Sequence, residues 1–236
     1  MKKTLLLILI MTGILNAEAQ VKQHLTPELL WKLGRLGTEM LTPDNKTLLF
    51  GVTQYNMAQN NSELNLYTVP VSGGPTQQIT NEPGSKTILS IGKDGRITYL
   101  FEGRIWQMNM DGDNLTMLSD HNMDDIDNVR ISPDGKKVIF SRDVPMEKVT
   151  GKDRYADMAK SNVYVFTGLN YRHWDKWNLG ECSHVFVADI ADGRISNEKD
   201  ILAGEPFEAA QKPDGGIGDM VFSPDGKSVV YVCRKK

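Results

Sequence analysis

The sequence predicts an all-β chain, a β-propeller, and three observations carry that expectation. A turn phrase recurs: Ser-Pro-Asp-Gly-Lys stands at residues 132–136 and again at 223–227, with a close relative, Thr42-Pro43-Asp44-Asn45-Lys46, near the start. Each copy follows an apolar residue (Leu41, Ile131, Phe222) and leads into an apolar run such as Val138-Ile139-Phe140 or Val229-Val230-Tyr231. With a weaker copy at Gly92-Lys93-Asp94-Gly95-Arg96, the matching aspartates are Asp44, Asp94, Asp134 and Asp225. Their spacing is roughly 40–50 residues with one interval near twice that, a period that on short strands marks propeller blades.

The chemistry of the phrase explains its reuse. Pro presets φ at the second position of a turn, Asp bonds the turn backbone, and Gly takes positive φ without steric cost. A polar turn between two apolar strands is a hairpin. Repeated once per blade, it gives four-stranded sheets that bury their faces only against their neighbours.

Taken in order, residues 1–19 read as an export signal. Lys2 and Lys3 form a basic start, residues 5–11 an apolar core, and Ala17-Glu18-Ala19 a small-residue cleavage site before Gln20. That core is too short to span a bilayer, and no Cys follows it to carry a lipid. The chain is therefore expected to be exported, periplasmic or secreted, without a stable membrane anchor. Residues 20–38 form a leader with one short helix: Thr26 caps it, Pro27 opens it and Gly34 ends it. Residues 39–236 are assigned to a partial propeller. The first blade is expected at about 40–80 and the second at about 88–119. The third runs from about 127 to 202 with an insertion at about 143–181, and a fourth begins at Ile217. Second strands ending in Gly turns are 64–69, 105–110 and 185–190. About three and a half blades cannot close a ring, so the chain is expected to be the first part of a longer polypeptide.

The formal net charge of −3, with no basic stripe, argues against nucleic acid as a partner. Cys182 and Cys233 leave pairing in an oxidising compartment open, since sequence does not show proximity. The four histidines, His24, His121, His173 and His184, have no partner at a metal-ligand spacing, so neither a metal nor another cofactor is expected. The acidic run at residues 120–127 lacks the calcium-loop pattern and reads as a solvated connection. The charged stretch at residues 148–160 is either a gating loop or a solvated excursion.

Several segments together resemble one family. The opening Leu25-Thr26-Pro27-Glu28-Leu29-Leu30-Trp31-Lys32-Leu33-Gly34-Arg35 is similar to the start of secreted bacterial dipeptidyl peptidases and acylaminoacyl peptidases of the prolyl oligopeptidase family. Those proteins also carry Ser-Pro-Asp-Gly-Lys blades. They often have a stretch like Tyr171-Arg172-His173-Trp174-Asp175-Lys176-Trp177 followed by Ser183-His184-Val185-Phe186-Val187. The resemblance covers residues 24–236. It implies a propeller that restricts entry to short peptides and a C-terminal α/β-hydrolase domain that supplies Ser, Asp and His. Here no Gly-x-Ser-x-Gly occurs and no βα alternation follows the propeller, so no residue takes a catalytic role.

The expected partners are short peptide substrates and the hydrolase domain of the parent chain, and a homodimer of the full-length protein is left open. Two alternatives from other classes stand beside this one: a non-catalytic periplasmic propeller of the TolB type that binds proteins, and a glycan-binding propeller. The substrate-binding candidates are His173, Trp174, Asp175 and Trp177. In the functional sense the insertion faces the cavity, the aromatics touch substrate side chains and Asp175 meets a peptide amine. In the structural sense the tryptophans wedge between blades and Asp175 accepts a local backbone bond.

Overall fold

Hydrogen bonds at the recurring turn are the same in copy after copy. The structure, a computed structural model, describes residues 24–119, 125–158, 160–169, 171–173, 175–212 and 214–235. The export signal at 1–19, His121 and most of the acidic run lie outside the described residues. In the third blade the Ser132 hydroxyl donates to Asp134 Oδ1 (2.7 Å) and accepts from Lys137 N (2.9 Å), while Lys136 N donates to the same carboxylate oxygen (3.1 Å). Thr42 and Asp44 repeat this circuit at 2.6, 3.0 and 3.1 Å, and Ser223 and Asp225 at 2.6, 2.9 and 3.0 Å. Gly135 and Gly226 take φ of 72° and 71°; Asn45 takes 57°, the left-handed conformation that Asn tolerates best after Gly. The second-blade copy has Gly92 in place of the hydroxyl residue, yet keeps the bond from Arg96 N to Asp94 Oδ1 (3.1 Å).

Each turn joins the first two strands of a sheet. The first sheet is β1 (Arg35–Leu41), β2 (Thr47–Asn56), β3 (Asn61–Pro70) and β4 (Gln77–Gln78), antiparallel in that order. The second is β5 (Lys86–Ile91), β6 (Ile97–Phe101), β7 (Arg104–Met108) and β8 (Thr116–Met117). The third uses β9 (Ile126–Ile131) and β10 (Lys137–Pro145). It leaves for an excursion carrying the short helix Gly151–Arg154, β11 (Arg172–His173) and β12 (Lys176–Trp177). It returns as β13 (Glu181–Ala191) and β14 (Arg194–Asp200). Beyond it, β15 (Phe207–Glu208) pairs with β18 (Arg234–Lys235), and β16 (Met220–Phe222) with β17 (Val229–Tyr231). The fold is thus all-β, three four-stranded blades and part of a fourth. First strands of successive sheets lie side by side, β1 with β5 and β5 with β9, as around a propeller axis.

Alternation along the strands places apolar side chains on both faces of each blade, and three cores fill the spaces between blades. Leu49 and Leu66 meet Ile88, Ile97, Tyr99 and Met108 between the first and second. Ile105 and Leu118 meet Val129, Val138, Phe140 and Ala188 between the second and third. Ile139 and Val185 meet Leu202, Ala209, Met220 and Phe222 beyond the third. Polar bonds also cross between blades: Ile195 N donates to Leu118 O (2.8 Å) and Ala209 N to Ser183 O (2.9 Å).

Two details depart from the sequence-based expectations. The first strand starts at Arg35, inside the stretch assigned to the leader. A register shift between Leu36 and Glu39 breaks the period of two and hides the strand. Equivalent shifts recur between Ile88 and Ser90 and between Ile139 and Ser141, so the bulge belongs to the blade plan. The N-terminal helix, described by itself, spans Pro27–Lys32, with Thr26 Oγ1 accepting from Leu29 N at 3.1 Å. It stops at an extended Leu33 rather than on a left-handed Gly34. Lys86 is buried at the head of β5. Its ammonium donates to Asn65 Oδ1 (3.0 Å), Gly84 O (3.2 Å) and Glu82 O and faces the Phe101 ring; burial lowers its pKa. Cys182 is buried and Cys233 exposed.

Two outcomes follow from this architecture. Phe140 is wholly buried and stacked on Phe186 at 5.5 Å, so Phe140→Ala should cost about 3–5 kcal/mol in denaturant unfolding. A loss below about 1 kcal/mol would contradict the inter-blade core. The Ser132 hydroxyl, then the Lys136 amide, hold the Asp134 carboxyl below its ordinary 3.8. A carboxyl depressed in the native state stabilises it above the unfolded value, and that contribution is lost as pH falls through the native value. The gap in melting temperature between wild type and Asp134→Asn, open near about pH 7, should therefore narrow below 3.8. A gap that holds constant down to acid unfolding would refute the circuit.

Candidate functional site

The third-blade excursion leaves β10 at Pro145 and rejoins the sheet at Glu181. Its ends are tied together, since Met146 N and Glu147 N both donate to Gly180 O, at 2.8 and 2.9 Å. Gly180 has φ of +80°, and a Cβ there would lie 2.3 Å from Glu147 O, so only glycine closes this neck. Farther out, Gly151 N donates to Val163 O (2.8 Å) and Val165 N to Val149 O (2.7 Å), with Thr150 opposite Tyr164. Tyr164 and Phe166, two apart on this extended segment, share one side. Asn178 N bonds Tyr171 O (2.8 Å) and closes the hairpin in which Arg172 faces Trp177 and His173 faces Lys176.

Trp177 is the hub of the excursion. Its rings lie 5.9 Å from Phe166 with only 10° between planes, 6.2 Å from Tyr164 and 6.1 Å from Tyr171. The Arg172 guanidinium stands 5.1 Å over the same indole. Together Tyr164, Phe166, Gly168, Tyr171 and Trp177 line an open recess of about 450 Å³. Trp177 keeps 45% of its surface exposed.

A second recess of about 600 Å³ is lined by Glu147, Lys148, Asp153, Arg154, Tyr155 and Thr167. The helix Gly151–Arg154 supplies one acid, Asp153, and one base, Arg154. The Thr150 hydroxyl bonds the Asp153 carboxylate, and Arg154 Nε donates to Lys148 O at 2.5 Å. The charged stretch noted in the sequence thus forms the wall of a recess.

Of the sequence-predicted residues, His173 and Trp177 stand on the two strands of the excursion hairpin and Asp175 at its tip, all three exposed; Trp174 lies outside the described residues. Trp177 stacks within the excursion's own aromatic cluster and belongs to none of the inter-blade cores. Sequence reasoning missed Tyr164 and Phe166, although the alternation Tyr164-Val165-Phe166 was there to be read. Tyr171 was quoted as part of a motif without a role. His184 sits elsewhere, wholly buried on β13 with Nδ1 2.8 Å from Asp200 Oδ2. Among the described residues no group of three or more His, Cys, Asp or Glu side chains is placed to hold a metal.

Comparison with known proteins gives dipeptidyl peptidases among the curated relatives and acylaminoacyl peptidases among the solved structures. A dipeptidyl-peptidase 5 from Porphyromonas gingivalis is 38% identical over 232 residues, covering 94% of this chain and 33% of the relative. One from Porphyromonas endodontalis is 32% identical over 230 residues, with the same 94% and 33% shares. Among solved structures, an acylaminoacyl peptidase in complex with Z-Gly-Gly-Phe-chloromethyl ketone gives a TM-score of 0.53 at 12% identity, over 81% of this chain and 28% of that one. The Pyrococcus horikoshii acylaminoacyl peptidase gives 0.53 at 13% identity, over 86% and 30%. At such identities the structural likeness concerns the fold alone. No protein-family model matches the chain. The chain spans about a third of the length of the curated relatives it matches. The chain is thus similar along nearly its whole length to about a third of the dipeptidyl-peptidase 5 relatives, and its fold is that of a partial β-propeller.

Proposed function

We propose that the chain is the substrate-gating propeller portion of an exported serine peptidase that removes dipeptides or acylated residues from short peptides. The observation that carries this is the 38% identity to a dipeptidyl-peptidase 5 across 94% of the chain. Chemistry in such a protein comes from a separate α/β-hydrolase domain, because this sequence holds no Gly-x-Ser-x-Gly. There a serine attacks the peptide carbonyl, a histidine takes and returns the proton, and backbone amides hold the oxyanion. The propeller's contribution is geometric: it admits oligopeptides and excludes folded proteins. The hairpin bearing His173, Trp174, Asp175 and Trp177 contacts the peptide. The signal at residues 1–19 exports the product.

The test uses the natural gene read through to its stop codon. Full-length protein should hydrolyse dipeptidyl or acyl-aminoacyl p-nitroanilides and be labelled by a serine-directed phosphonofluoridate at a serine beyond residue 236. Residues 20–236 produced alone should hydrolyse neither, and the exported protein should begin at Gln20 by peptide mass spectrometry. A full-length protein that is neither active nor labelled would overturn the peptidase reading in favour of a binding propeller.

A further inference from the structure

The third-blade excursion is built as a separate body on a narrow stem. Its helix Gly151–Arg154 packs on a 3-10 turn at Ala156–Met158, and Val165 N reaches back to Val149 O. Tyr164, Phe166 and Tyr171 all stack on Trp177. Arg154 Nε and the Thr150 hydroxyl also bond within the excursion, to Lys148 O and Asp153. The blade side of the stem is held by other means. There β10 and β13 stay in ladder out to Pro145 with Glu181, and Lys212 pairs with Asp143 near the end of β10.

Two short stretches, residues 145–147 and 179–181, join these bodies. Hinges sit at the ends of elements, where a few residues absorb the change in backbone angle. Pro145, with no N–H to donate, ends the ladder on one strand. On the other strand Gly180, at φ +80°, donates its N–H to Asn178 Oδ1 at 3.1 Å. Its carbonyl accepts from the Met146 and Glu147 amides and so latches the stem.

We infer that the excursion is a flap that swings as one piece on this stem, and that its swing sets the size of peptide admitted. The gating consequence rests on the proposed function; the motion does not. Leu169 is 94% exposed, and Tyr164 and Trp177 keep nearly half of their surface in water. Rings left uncovered in this position gain contact when the flap closes on a bound chain. That differential contact is what biases the swing. Motions of this kind run on microseconds to milliseconds, slow enough to limit entry and release.

The test uses full-length protein carrying Cys233→Ser, which removes an exposed thiol; Cys182 is buried. Spin labels go on Leu169→Cys in the excursion and on Lys199→Cys, exposed on β14. Pulsed dipolar spectroscopy on this pair should give two distances. The control pair Lys136→Cys and Lys199→Cys, both on the third blade, should give one. Gly180→Ala sets a Cβ against Glu147 O and breaks the latch. It should shift the ratio of the two populations about 5-fold, the effect of one lost backbone hydrogen bond on an equilibrium. It should also raise kcat/KM on a long peptide about 5-fold relative to a dipeptidyl p-nitroanilide. Melting curves report whether the variant is folded, and a gain on the long peptide is not a product of unfolding.

A single sharp distance for the Leu169 pair overturns the inference and leaves the peptidase reading standing, and this readout does not need Gly180→Ala to fold. Two distances with an unchanged long-to-short ratio in folded Gly180→Ala overturn the gate. If the full-length protein hydrolyses no reporter, the peptidase reading falls. Two distances that Gly180→Ala redistributes then still support the flap, and one distance overturns it.

Discussion

A serine or threonine hydroxyl that gives its proton to an aspartate two residues on, and takes one from a backbone amide five residues on, is the constraint on which this fold depends. Both lone-pair and proton capacities of the hydroxyl are used, and the carboxylate is held by two donors at once. The shape of the turn is therefore set by bonds within the turn itself rather than by contacts between blades. Its consequence is register. Thr42 N bonds Thr47 O, Ser132 N bonds Lys137 O and Ser223 N bonds Ser228 O, each at 2.8–2.9 Å, so the strands start in step. A one-residue slip would turn Leu49, Val138 and Phe140 away from their inter-blade cores. The second blade does without the hydroxyl at Gly92, where Gly92 N still bonds Arg96 O at 2.8 Å. Its strands are pinned instead by wholly buried Ile97 and nearly buried Tyr99.

The third blade adds a polar armature to this plan. Arg142 pairs with Glu198 (2.9 Å) and Asp125 (3.0 Å) while its guanidinium lies over Phe140 (5.1 Å) and Phe186 (4.9 Å). Directly opposite it across the ladder, His184 bonds Asp200, whose other oxygen accepts from Leu202 N at 2.8 Å. Buried polar groups of this kind give little net stability, yet breaking one partner leaves an uncompensated charge. Their effect is to specify where β10, β13 and β14 lie against one another. That matters here because β10 and β13 stay paired in unbroken register from Lys137 with Asp189 out to Pro145 with Glu181. The excursion grows from the end of that stiff ribbon.

What the sequence disclosed follows from how local the chemistry is. The turn circuit lies within six residues and leads into apolar runs such as Val138-Ile139-Phe140, so the propeller was legible. β1 was not, because its bulge interrupts the alternation between Leu36 and Glu39. Nor was the pairing of Phe207 with Lys235, which joins segments of two residues each. Lys86 gave no signal, since the acceptors that make its burial tolerable lie on the chain just before it and on another strand. The hairpin around Trp177 stood out by composition. Its aromatic partners Tyr164 and Phe166 lie more than ten positions upstream, brought in by the bonds between 149–151 and 163–165 that no spacing rule foretells.

The neck at Gly180 separates what the excursion does from what the blades do. Backbone bonds join its two ends across the neck and form a short ladder of its own between 149–151 and 163–165. Its apolar rings pack on each other, and none of them belongs to an inter-blade core. Side chains beyond the neck are thus free of the packing that fixes Phe140 or Ile139, where a single methylene is felt. Exposure of nearly half of Trp177 would be wasteful in a residue kept for packing, since aromatic rings contribute most when covered. An exposed ring set held in place by a rigid base is the arrangement expected of a surface that something else completes. Residues there can be substituted with the blade cores left intact, so the exposed surface can vary while the propeller plan stays the same.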